Sequence, residues 1–177
     1  MQSEEVLVLG ELENGRISDI SKEVIAAARK LVGQAQGDRV AVALLGRDLS
    51  EPAGEALAFG ADRVYLVEHP LLGEYQVDLY LAALEQVCRT LGPEVVLLGR
   101  TLAGRDLGPR LAFRLGVGLA QDCLEVSWDA QGRRLLGRRP VYGAPVSALR
   151  GDSGPHRTLA LRASELQRRS GPREPGA

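Results

Sequence analysis

The chain is 177 residues long, 45% hydrophobic but only 4% aromatic, with a net charge of −1. That length fits one domain with a sizeable core, and the core must be aliphatic, built from Leu, Val and Ala. No apolar run approaches the ~20 residues of a membrane span, and the opening MQSEEVLVLG starts acidic and runs straight into a strand, unlike a signal peptide. Cys88 and Cys123 lie in neither a CxxC nor a metal-ligand spacing, so the chain reads as a soluble, cytoplasmic protein of a reducing compartment. Charge is unevenly placed: residues 1–132 carry 12 basic and 20 acidic side chains, residues 133–177 carry 10 Arg and 3 acids. Such asymmetry suits an acidic partner or a solvated basic tail. The scarcity of aromatics beside the arginines argues against single-stranded nucleic acid.

In chain order, Glu5–Gly10 is a short apolar strand and Glu13-Asn14-Gly15 a turn. Val24, Ile25, Ala28, Leu31 and Val32 recur at helical spacing, which predicts a helix over Ser21–Ala35. Arg39–Leu45 is a second continuous apolar strand. Ser50 is the expected N-cap of a short helix with Pro52 in its first turn, ending at Gly60. Arg63–Val67 is a third strand. Gln76–Leu91 carries its apolar residues over four turns at i, i+3, i+4, i+7, with Cys88 on that face, and Gly92-Pro93 stops it. Val95–Leu98 is a fourth strand. Continuous apolar strands alternating with helices predict a doubly wound α/β domain: a mostly parallel sheet with helices on both faces.

After Gly118 the pattern changes. Cys123–Trp128 alternates apolar and polar residues, Asp129–Gly132 is a turn, and Arg133–Val141, Ala144–Leu149 and Arg157–Arg162 are strand candidates. These predict an antiparallel ribbon appended to the parallel core, with Trp128 as a packing residue. The domain is expected to span 1–163, followed by a flexible basic tail over 164–177.

The loop after the fourth strand, Gly99–Gly104 (GRTLAG), has the G-x-x-x-x-G spacing of a phosphate-binding loop, but Arg105-Asp106 stand where Lys and Ser/Thr are needed. No G-x-G-x-x-G follows the first strand, where Glu11 and Glu13 would repel a pyrophosphate. Asp106 is the expected N-cap of a helix over Leu107–Leu115 with Pro109 in its first turn. Arg105 and Arg110 can hold Asp106, bind a partner or meet a cofactor phosphate, and Thr101 offers a hydroxyl at the strand end. His69 and His156 lack a catalytic partner at a telling spacing, and no metal cluster stands out. The residues alone support a binding or assembly module rather than a catalyst.

Several segments are more specific in combination. Gly104, Arg105, Asp106, Pro109, Arg110 and Ala112 form a Gly-Arg-Asp-x-x-Pro-Arg-x-Ala signature. With it come Val6-Leu7-Val8-Leu9-Gly10-Glu11, Ala58-Phe59-Gly60-Ala61-Asp62, Leu115–Cys123 and Arg139-Pro140-Val141-Tyr142-Gly143. In this order they resemble the N-terminal domain of the electron transfer flavoprotein alpha subunit, from about residue 5 to about residue 163. The resemblance implies an adenine-nucleotide alpha-hydrolase-like fold and a scaffold for flavin-dependent electron transfer. It also implies a beta-type subunit as partner, with self-association as the other possible assembly. The family holds FAD mainly through a second domain whose motifs are not among these residues, so tight FAD binding by this chain alone is not expected. An alternative on the same fold is a small protein binding an adenine nucleotide such as AMP through Gly10–Gly15 and Gly99–Arg105. The candidate cofactor or interface residues are Thr101, Gly104, Arg105, Asp106 and Arg110. The chain departs from the family at Ala144-Pro145, where Pro145 removes a backbone donor, and at Ala163-Ser164-Glu165-Leu166.

Overall fold

A computed structural model describes residues 5–33, 39–129, 134–141, 144–150 and 158–162. The elements follow as β1 (Glu5–Gly10), β2 (Leu12–Glu13), β3 (Arg16–Ile17), α1 (Asp19–Val32), β4 (Arg39–Gly46), α2 (Ser50–Ala58), β5 (Arg63–Glu68), α3 (Val77–Leu91), β6 (Val95–Gly99) and α4 (Leu102–Leu115). Then come β7 (Gly118–Cys123), β8 (Glu125–Asp129), β9 (Arg134–Val141), β10 (Ala144–Arg150) and β11 (Thr158–Arg162).

Six strands form one sheet in the order β5-β4-β1-β6-β11-β7, and every pairing in it is parallel. β1 lies between β4 and β6 and all six of its residues are buried. This is why it reads as an unbroken apolar run rather than an alternation. The two faces bury separate clusters. Val6, Val8, Val42 and Leu44 pack with Val24, Ile25 and Leu31 of α1 and Ala56 of α2. Leu7, Leu9, Ala43 and Leu98 pack with Leu81, Leu84 and Cys88 of α3 and with Leu107 and Leu111 of α4. The doubly wound architecture with helices on both faces is therefore as expected, and Cys88 is buried in the second cluster. The winding direction changes between β1 and β6, the crevice position of such sheets.

Local chemistry explains the boundaries. Asn14 and Gly15 both have positive φ, 53° and 76°, and turn the two-residue hairpin between β2 and β3. Helix α1 begins at Asp19, two residues before the expected start at Ser21, because the Ser18 side chain accepts from the Ser21 amide. Ser50, by contrast, is not a cap: α2 starts from Leu49, with no side-chain capping bond, and Ser50 is its first helical residue. Glu68 takes over, accepting the Leu49 amide at 2.8 Å. Gly92, at φ 63°, closes α3 in the left-handed conformation that glycine adopts freely.

The C-terminal third departs from expectation in two places. Gly118–Cys123 is a strand of the parallel sheet that the alternating Cys123–Trp128 pattern conceals. The chain breaks at Asp122, which has φ 56°, and the register against β11 shifts there. β11 is likewise no part of an antiparallel ribbon: it inserts between β6 and β7, parallel to both. Five residues with apolar character suit either setting, and only the long-range pairing selects one. The antiparallel ribbon itself is real and comprises β8, β9 and β10. It packs on the sheet through Val126 and Leu135 against Ala120 and Cys123, with Trp128 at its margin. Gly137 permits this approach, since a Cβ there would sit 2.6 Å from Cys123 Sγ. Of the expected Asp129–Gly132 turn, Asp129 is the last residue of β8, while 130–132 and the basic tail lie outside the described residues.

Candidate functional site

The carboxyl ends of β1, β4 and β6 meet at the change of winding. β1 runs out into Glu11, and β6 into Gly99-Arg100-Thr101, from which α4 rises. Thr101, not Asp106, is the N-cap of α4: its Oγ1 accepts the Gly104 amide at 2.9 Å. The helix is thus five residues longer at its start than the proline suggests, and Pro109 lies in its interior rather than its first turn. An interior proline costs about 3 kcal/mol in an isolated helix. Here Leu107, Leu111 and Ala112 bury the inner face on both sides of it and hold the helix together.

Thr101 also donates to Glu11 Oε1 at 2.8 Å, joining the ends of β1 and β6. The Glu11 amide donates to Ser21 Oγ at 2.7 Å, and Ser18 Oγ donates to Ser21 Oγ at 2.9 Å. Four side chains from three segments thereby lock the switch point. Burial pushes the Glu11 carboxyl above its ordinary range, and the Thr101 hydroxyl only partly offsets this. Gly104 is fixed by space: a Cβ there would fall 1.9 Å from the Gly99 carbonyl oxygen. Thr101 and Gly104 therefore build the loop, whereas Arg105, Asp106 and Arg110 belong to the outer side of α4. Arg110 Nε sits 3.1 Å from Asp106 Oδ1, and the Tyr75 hydroxyl donates to Asp106 Oδ2 at 3.3 Å. Burial, and next the Asp106 carboxylate, push Tyr75 up to about 12. Arg105 is exposed.

Beside this network lies an open cleft of about 670 Å³, walled by Leu9, Glu11, Leu45, Arg47, Tyr75 and Tyr80. Its size falls in the range of small-molecule sites. None of the five sequence-derived candidates lines it; α4 contributes Ala103 and Leu107 instead. The segment Pro70–Gln76, which shows no helical or strand periodicity, supplies most of one wall. Its one visible signal is the Tyr75/Tyr80 pair, whose rings stack edge to face at 5.1 Å. The polar groups do not suit a pyrophosphate. Arg47 spends its Nε on the Pro70 carbonyl at 2.8 Å, and the Glu11 carboxyl faces the start of α4, where an anion would otherwise be favoured. Among the described residues no acid, His and Cys cluster could hold a metal, and no helix is long and apolar enough to cross a membrane. His69 is exposed and caps a short turn, its Nδ1 accepting the Leu71 amide.

Comparison with known proteins decides the family. Residues 6–150 match the model of the electron transfer flavoprotein domain. The chain belongs to the electron transfer flavoprotein family. It is 36% identical over 144 residues to the electron transfer flavoprotein subunit alpha of Thermoanaerobacterium thermosaccharolyticum, covering 81% of this chain and 43% of that protein. It is 39% identical to protein FixB of Azorhizobium caulinodans over 80% of this chain and 38% of that protein. The subunit alpha of Bacillus subtilis is 36% identical over 77% and 41%. The chain thus spans about two fifths of the length of these relatives. In this electron transfer flavoprotein domain, the family-like signature Gly104–Ala112 is divided by α4 into an inner part that packs and an outer part that faces away.

Proposed function

We propose that this chain is an alpha-type scaffold in flavin-dependent electron transfer, working through assembly with a beta-type subunit rather than through catalysis of its own. One observation carries the reading: the outer face of α4 presents Leu102 and Phe113, each 87% exposed, in line with Pro109 and flanked by Arg105 and Arg110. Leu102, Pro109 and Phe113 are separated by seven and four residues, so they share one helix face. Exposed Leu71 and Tyr75 lie on the segment beside it, Tyr75 bonded to Asp106. An apolar stripe rimmed by arginines is the composition of a protein interface centre and its rim. The complementary surface would offer an apolar groove with carboxylates at its border.

FAD belongs to the complex in this reading, held outside the residues described here, because in the cleft Arg47 is engaged by the Pro70 carbonyl and the Glu11 carboxyl faces the start of α4. The decisive experiment is co-purification with a beta-type electron transfer flavoprotein subunit. The parent chain is expected to form a stable complex, and Phe113→Asp to lose it while keeping its fold. Stoichiometric flavin carried by the isolated chain would overturn the scaffold assignment.

A second reading rests on the cleft, whose volume suits a nucleoside-sized ligand. Titration with AMP and with adenosine separates the two. The buried Glu11 carboxyl opposes phosphate, so a calorimetric signal with AMP would favour a nucleotide-binding protein over a scaffold.

A further inference from the structure

The exposed large apolar side chains fall into separate regions, and α4 accounts for only one. Leu66 of β5, 44% exposed, and Leu57 of α2, 50% exposed, mark another. β5 is the outermost strand of the six-stranded sheet, and among the described residues it pairs with β4 alone. Its ladder to β4 runs in unbroken register from Arg63 to Glu68, with neither bulge nor proline. Edges of this kind are usually guarded by free charges, by proline or by a bulge. Here both charged residues are drawn away from the edge: Arg63 bonds the buried Glu5 carboxylate at 3.0 Å, and Glu68 accepts the Leu49 amide. The opposite edge, β7, is overlaid by the antiparallel ribbon. Among the described residues, β5 is the edge of the six-stranded sheet that leaves a row of backbone donors and acceptors with apolar side chains beside it.

We propose that β5 is a homodimerisation edge, pairing antiparallel with β5 of a second copy so that two sheets join into one. A second copy is the occupant the strand itself specifies. An antiparallel pair is symmetric about a dyad normal to the sheet, so each edge supplies the groups the other leaves unpaired. That dyad keeps each face of the sheet on its own side, so facing residues must share the same parity. Of the registers that satisfy this, the two centred on the middle of the strand, at Tyr65 and at Leu66, pair the most of it. Centring on Tyr65 sets Asp62 against Glu68 of the other copy, a like-charge pair, and Arg63 against Val67. Centring on Leu66 sets Leu66 against Leu66 and Tyr65 against Val67, apolar on both faces, with Glu68 against Val64. The second register is the one the side chains select. Val64 packs with Ala53 on the α2 side, so Leu66, two residues on, lies on that same side, where Leu57 of each α2 can close over the Leu66 pair. This surface is distinct from the α4 stripe and does not depend on a beta-type partner.

The test uses the full chain without any other subunit. Sedimentation equilibrium is expected to show a concentration-dependent monomer–dimer equilibrium. Leu66→Lys places two like charges on the dyad and is expected to leave monomer at every concentration, with unchanged circular dichroism. Leu66→Cys provides a second readout that does not rely on loss. Facing Cα atoms at about 4.5–5.5 Å lie within disulfide reach, so mild oxidation should yield a covalent dimer, which Phe113→Cys should not. A chain that stays monomeric at its highest soluble concentration overturns the proposal. So does a dimer that survives Leu66→Lys, or one abolished by Phe113→Asp.

Discussion

The two sides of α4 carry the same stretch of sequence to opposite ends. On the inner side, Gly104, Leu107, Gly108, Leu111 and Ala112 are buried against β6 and α3, with no room to spare at Gly104. On the outer side, Leu102, Arg105, Pro109, Arg110 and Phe113 are exposed, with Arg110 paired to Asp106 and Pro109 tolerated inside the helix. A run of family-like residues is therefore not one site. Its glycine and alanine set how closely the helix approaches the strand end, while its arginines are available to whatever docks.

This division should be visible as a gradient of effects. Gly104→Ala drives a methyl group into the Gly99 carbonyl, backbone against backbone, and is expected to cost about 3 kcal/mol or more in denaturant unfolding. A loss below about 1 kcal/mol would show that α4 can slide outward and that the inner side is not rigid. Thr101→Ala removes the cap and deprives the half-buried Glu11 of its hydroxyl donor. It is expected to cost about 1–2 kcal/mol, most of it regained by Thr101→Ser.

Glu11→Gln sharpens the same network through pH. Because burial raises the Glu11 carboxyl in the folded state, the folded chain retains a proton that the unfolded chain has already lost. Stability from this group therefore falls as pH rises from the ordinary carboxylate range through the raised folded value. Glu55 behaves oppositely. The Ile17 amide and then Arg16 hold it low, so its contribution is present above the ordinary value and lost as pH falls through the folded one. The gain of Glu11→Gln over the parent should widen from acid to neutral pH in urea midpoints, and a constant difference would refute the burial argument.

On the outer side, Phe113→Asp and Leu102→Lys should change stability by less than about 0.5 kcal/mol while affecting partner binding. Asp106→Asn is expected to show the smallest effect on stability, about 0.3–0.5 kcal/mol from the exposed pair with Arg110. Its clearer signature is ultraviolet titration of Tyr75, which should fall from about 12 back toward the ordinary tyrosine value as the Asp106 carboxylate is lost. An unmoved Tyr75 would mean that burial alone sets its value.

Much of the first hundred residues was legible in sequence because both of their signals are local. An unbroken apolar run such as Arg39–Leu45 belongs to a strand covered on two faces, and the four-turn stripe from Val77 to Leu91 belongs to a helix covered on one. The start of α4 was not legible. Asp106 and Pro109 form a good local helix start, and the actual one at Thr101 depends on Glu11, ninety residues earlier in the chain. The cleft was legible only in part: Gly10 to Gly15, one of the two loops expected to hold a nucleotide, contributes to its lining, but the walls from β4 and the segment before α3 come from distant parts of the chain.

The sequence by itself determined the layering of this protein, because periodicity and glycine stops depend only on neighbours within a few residues. Its ordered motifs also carried the family resemblance that the comparisons bore out. The tertiary structure alone decided the places of β7 and β11, the division of α4 into a packed and an open side, and the place of β5 at an edge, paired on one side only among the described residues. Those are outcomes of pairing between distant segments. A five-residue strand such as Thr158–Arg162 has too little local character to choose between a ribbon and the parallel sheet until β6 and β7 supply the backbone partners.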